Sequence, residues 1–127
     1  MKRTYITGED DNTISLGVKV QTAGIACTTV YSARSGGQQL KINDSADDSG
    51  AIREAVIGKA SELRNSYLLI ITMIDRAVID PTEWDNLVIR YHINGGFSGS
   101  QVFNHDIDDT KLLPNGKMLV IKPIEMK

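Results

Sequence analysis

Polar and apolar residues alternate with a period of two over much of this chain. Leu87, Ile89, Tyr91 and Ile93 share one face, and Val88, Arg90, His92 and Asn94 share the other. That is the pattern of a strand with one buried side. Ile14, Leu16, Val18 and Val20 alternate in the same way with Ser15, Gly17, Lys19 and Gln21. Gly17 falls on the outward face, where a glycine marks a bulge or the close approach of another backbone. A third strand, residues 25–32, sets Ile25, Cys27, Thr29 and Tyr31 against Ala26, Thr28, Val30 and Ser32. Its small residues predict tight packing on one face, and Cys27 is expected to behave as a small buried hydrophobe. Residues 67–74 break the alternation, being apolar on both faces until Thr72. They predict a central strand covered on both sides over at least its first half.

Turn chemistry places the connections. Residues 66–96 read as a β-hairpin whose arms are joined by a segment carrying Pro81 and Trp84. Proline lacks an amide hydrogen and suits a connection better than a strand interior. Thr4 to Thr7 make a short edge strand. Residues 9–12 and 22–24 are turns, and Arg34-Ser-Gly-Gly37 is a hairpin connection. A short strand over 39–43 leads into an acidic loop, 44–50. Residues 51–64 are ambiguous. Ile52, Ala55, Val56, Ala60 and Leu63 have helical spacing with Ser49 as a cap, but Ile57, Gly58 and Lys59 break the stripe. A strand over 54–57 followed by a loop over 58–62 fits the all-β neighbours better. After the glycine-rich connection 95–100 come a strand at 101–104 and a second acidic loop at 106–109. Asn115-Gly116 is a turn signal, and residues 118–127 are the last strand. Pro123 interrupts that strand, so its distal half is expected at a sheet edge, open to pairing. Eight or nine short strands at roughly ten-residue spacing predict one all-β domain over residues 1–127. The fold expected is an antiparallel two-sheet β-sandwich, admitting one short helix near residues 51–63.

Composition strengthens the β reading. Fifteen Ile, 8 Val and 9 Thr stand against 9 Leu and 8 Ala, and branched side chains fit a pleated surface better than a helix. At 127 residues the chain is long enough to bury a core without metal or disulfide staples. A net charge of −2 without a basic patch gives nucleic acid little to bind. The longest apolar run, residues 67–74, is too short to insert in a membrane as a helix. No apolar run follows Met1-Lys-Arg-Thr-Tyr5, so no signal peptide is expected and a cytoplasmic, soluble protein is. The single Cys27 excludes an internal disulfide.

Candidate chemistry is sparse. Asp10, Asp11, Asp44, Asp47, Asp106 and Asp108 lie in predicted loops, which at one end of a sandwich can supply the oxygens calcium wants. Their spacing lacks the ligand pattern of a helix–loop–helix calcium site, and turn formation alone explains them. No cofactor is therefore expected. His92 and His105 have no paired spacing, and Gly-Phe-Ser-Gly at 96–99 is not a nucleophile elbow. Trp84, between Glu83 and Asp85, fits either a plug closing the sandwich or an exposed platform. Phe97 in the glycine-rich loop and Tyr91 complete the contact candidates. The expectation is a non-enzymatic structural or interaction module that binds a protein partner or itself. The alternatives are a carbohydrate-binding module, possibly calcium-assisted, using Trp84 and Phe97, and a small hydrolase built on His105, Asp106 and Asp108.

Overall fold

Alternating sequences become strands, and the side that each strand buries decides where it sits. The computed structural model describes residues 3–22, 24–34, 37, 39–77 and 87–127. In these, ten strands form two sheets of a β-sandwich, the all-β architecture that the pattern predicts. They are β1 (Arg3–Tyr5), β2 (Thr13–Gln21), β3 (Ile25–Ala33), β4 (Gln39–Asp44), β5 (Ile52–Lys59), β6 (Ser66–Asp75), β7 (Val88–Asn94), β8 (Gln101–Asn104), β9 (Thr110–Leu112) and β10 (Lys117–Met126). The larger sheet runs β1-β10-β6-β3-β4, with β9 also paired to β10. The smaller runs β5-β2-β7-β8. Every pair of neighbours is antiparallel except β1 with β10.

The inner faces meet in a core of aliphatic side chains. Leu68, Ile70, Ile74, Val120 and Ile124 of the larger sheet and Ile14, Leu16, Ile89, Tyr91 and Ile93 of the smaller are fully buried. One polar pair sits among them. The hydroxyls of Thr28 and Thr72, cross-strand partners on β3 and β6, hydrogen-bond at 2.9 Å, which satisfies two groups that burial would otherwise penalise. Gly17 is a site of close approach, as its position suggested. A Cβ there would lie 3.3 Å from the Glu54 backbone, where the β2–β5 register shifts. Among the described residues no helix is long and apolar enough to cross a membrane.

The fold corrects several expectations. Residues 66–96 are not a hairpin, because β6 and β7 belong to different sheets. Their connection crosses the sandwich, and Pro81 and Trp84 within it lie outside the described residues. The strand favoured within 51–64 is real and longer, Ile52–Lys59. The expected loop after it is instead a one-turn helix, α1 (Ala60–Leu63), begun by a hydrogen bond from the Lys59 amide to the Glu62 carboxylate. The acidic loop 106–109 contains a 3-10 turn over Ile107–Asp109, followed by β9, which no apolar alternation announced. Cys27 is exposed, since Ala26, Thr28 and Val30 take the inner face of β3.

The C-terminal strand is not at an edge. β10 lies between β6 and two short strands, β9 along residues 118–120 and β1 along 124–126. Pro123 falls in the gap between those two. The amide of Lys127 donates to the Tyr5 carbonyl of β1, so the period of two points the Pro123 nitrogen to the same side. Among the described residues no strand is there to miss its hydrogen.

Candidate functional site

The outer face of the larger sheet departs from the rule that a sandwich strand turns polar residues to water. Register aligns three rows across β3, β6 and β10: Cys27–Met73–Leu119, Thr29–Ile71–Ile121 and Tyr31–Leu69–Pro123. Eight of those nine side chains are apolar or aromatic. Cys27 and Met73 are exposed, Met73 at 45% like Ile25 at the margin, and the other side chains of the three rows are half-buried. Along β3, β6 and β10 charge is confined to the ends, while Lys41 of β4 flanks Tyr31 and Lys111 of β9 flanks Leu119 at the sides. Ile25–Asp75–Lys117 closes one end and Ala33–Tyr67–Glu125 the other. This explains the two-sided apolarity of β6. Its inner face is core and its outer face is an apolar surface, not the second buried side that the sequence predicted. The outward residues of β10 ahead of Pro123 carry the same signature, a failure of alternation in Leu119 and Ile121.

A second constellation sits where the sandwich edge is closed by the turn between β8 and β9. Lys122 stands at the β10 end of an inner row with Ile70 and Val30 and is fully buried. Its Nζ donates to Asp106 Oδ2 at 2.6 Å and to Asp109 Oδ2 at 3.0 Å. The Asp109 side chain is only 2% exposed, that of Asp106 25%. The Asp106 amide also donates to Asp109 Oδ2, at 2.9 Å, and Arg3 reaches Asp106 Oδ1 at 3.4 Å. The hydrogen bond from Lys122 pulls the Asp106 carboxyl below the usual aspartate range. Burial pushes Asp109 up most strongly, yet hydrogen bonds, those from the Asp106 amide and Lys122 among them, hold it below that range too. Tyr91 lies inside the core, with a buried hydroxyl that makes no hydrogen bond among the described residues. Burial, then the charges of Asp109 and Asp106, push its phenol up and keep it protonated. A fully buried Tyr91 is no exposed contact residue, because its odd-numbered face of β7 is the core face.

The remaining candidates do not converge. Among the described residues no three metal-ligating side chains lie together. Asp11 accepts from the Ser61 amide at the start of α1, and Asp47 accepts from the amide and hydroxyl of Ser49. Asp44 pairs with Lys41, while Asp10 and Asp108 point to solvent. The proposed hydrolase trio is likewise dispersed. His105 Nδ1 accepts the Ile89 amide, Asp106 is engaged by Lys122, and Asp108 is exposed. Phe97 is 80% exposed on a loop whose backbone bonds residues 6 and 7, the contact candidate among the described residues that stands open to solvent. His92 half-lines an open groove of about 590 Å³ with Lys19, Asp47, Arg53 and Glu54, a mixture of both charge signs. Comparison of the chain with protein-family models, curated proteins and solved structures finds no match.

Proposed function

We propose that the protein is a non-enzymatic module that works by self-association, a second copy covering the outer face of its larger sheet. The observation behind this reading is the apolar surface formed by the three aligned rows. With strands about 4.8 Å apart and same-face residues about 6.8 Å apart, five rows on β3, β6 and β10 span roughly 500 Å². Flanking strands add a polar rim, with Lys41 beside Tyr31 and Lys111 beside Leu119, the apolar-centre, polar-margin layout of an ordinary interface. Patches of several hundred Å² on a monomer are commonly binding sites.

The charged ends favour a second copy over an unrelated partner. A two-fold axis across the strands, through the Ile71 row, lays the Lys117 end of one copy over the Glu125 end of the other. The two faces would then pack as the sheets of a sandwich pack. Cys27 lies on this surface, one row from its middle, and is its natural reporter. Alkylation by N-ethylmaleimide is expected to be fast in dilute protein and to slow as concentration rises. Light scattering after size exclusion is expected to show a dimer mass over the same range. A constant alkylation rate together with a monomer mass at every concentration would reject this reading.

A further inference from the structure

We propose that Lys122 and Asp109 become joined by an amide bond, formed within the folded chain, with Asp106 as the proton carrier. The geometry is that of the reactants. Nζ stands 3.0 Å from Asp109 Oδ2, and one carboxyl C–O bond of about 1.2 Å separates that oxygen from the carbon to be attacked. The fold holds amine and carboxyl side by side, which supplies the effective concentration that such a condensation lacks in water. Lys122 is flanked along β10 by Val120 and Ile124 and faces Ile70 across the strand pair, all fully buried. The 3.0 Å hydrogen bond from Nζ to Asp109 Oδ2 is the path along which one proton shifts to give the neutral amine and acid that react.

The chemistry balances without a co-reactant. The ion pair moves one proton from Nζ to the Asp109 carboxylate. Neutral Nζ then attacks Cγ, and the Asp106 carboxylate, 2.6 Å from Nζ, removes the proton that the nitrogen must lose. The Asp106 amide, already donating to Asp109 Oδ2, holds the carboxyl in place and that oxygen as the one that leaves. Asp106 returns its proton to the departing hydroxyl. One ammonium and one carboxylate become one amide and one water, and Asp106 ends as it began. The product ties the middle of β10 to the turn before β9.

Intact-mass spectrometry of the purified full chain tests this directly. The expected mass is that of the sequence less one water. Trypsin is expected to leave the 91–111 and 118–127 peptides joined as one species, with fragmentation placing the bond between Asp109 and Lys122. A mass equal to the sequence, with the two peptides separate, overturns the proposal. Asp106→Ala is expected to keep its full sequence mass while remaining folded by circular dichroism. Loss of water in that folded variant overturns the role given to Asp106. If Asp106→Ala does not fold, the wild-type mass and peptide map still decide whether the bond exists.

Discussion

Ile71→Lys separates the contact surface from the fold. Ile71 is the centre of the middle outer row, between Thr29 on β3 and Ile121 on β10, and contributes nothing to the inner core. Within one copy the change removes cross-strand apolar contacts and some strand preference, a cost of about 1 kcal/mol. For a domain of this length that lowers Tm by about 4 °C. Across a two-fold interface the same residue is buried twice. Ile71 is already half-buried within one copy, so the interface covers only the remainder, about a third to a half of the 1.5–3 kcal/mol that burying a whole aliphatic side chain contributes, and losing both copies costs about 1–3 kcal/mol. That is a rise in dimer Kd of roughly fivefold to a hundredfold. Sedimentation velocity over a dilution series measures it, with a melting curve as the check on folding. Gln21→Lys, an exposed position on the other sheet, is expected to leave Kd unchanged. The reasoning fails if Ile71→Lys folds normally and dimerises as the wild type does, or if both substitutions weaken association equally.

Three further outcomes bear on the fold. Thr28→Val is expected to destabilise by about 1–3 kcal/mol because the buried Thr72 hydroxyl loses its partner, and Thr28→Val with Thr72→Val by less than the two singles summed. Urea titrations of the four proteins measure the coupling, and strict additivity would contradict it. Gly95→Ala is expected to lower Tm by about 8 °C, for a cost of about 2 kcal/mol. Gly95 has a φ of +107°, and an added Cβ would fall 2.0 Å from the Thr13 carbonyl oxygen. A differential-scanning trace within a degree of wild type would count against that close approach. Hydrogen bonds from Ser61 and Ser49 hold the carboxyls of Asp11 and Asp47 below the ordinary 3.8. Their stabilisation is therefore present above pH 3.8 and is lost as pH falls through the lower folded values. Melting temperatures followed into acid are expected to fall less steeply in Asp11→Asn and Asp47→Asn, and unchanged slopes would refute this.

The layering of the fold was legible because it depends on a local regularity. Leu16 and Val18, and Ile89, Tyr91 and Ile93, occupy the buried face that their alternation predicts. Which strands become neighbours depends on long-range choices that periodicity does not carry. β6 and β7 look like hairpin arms because they are consecutive, yet each found a better partner elsewhere. Pro123 was misjudged for a related reason. A proline excludes one hydrogen bond on one side, and two short strands leave that side vacant without making β10 an edge. The ion cluster was hidden by distance along the chain. Asp106 and Asp109 lie in a predicted acidic loop and Lys122 in a predicted strand thirteen residues on, and only the β10–β6 register sets Lys122 on the inner face. The apolar outer surface was visible as an anomaly in residues 67–74, but sequence alone does not distinguish a second buried side from an uncovered one.

The pairing of β10 has a consequence for how the chain reaches its native state. Arg3 stands opposite Ile124, and Leu69 opposite Pro123, so the tenth strand in order supplies partners to the first and the sixth. Loop closure over such separations is slow relative to helix or hairpin formation. Until β10 arrives, β6 presents a bare strand edge beside an apolar face, the combination most prone to intermolecular misassembly. Refolding yield should therefore fall with protein concentration more steeply than folding rate does, and ribosome-bound chains halted before Lys117 should be the species that chaperones hold.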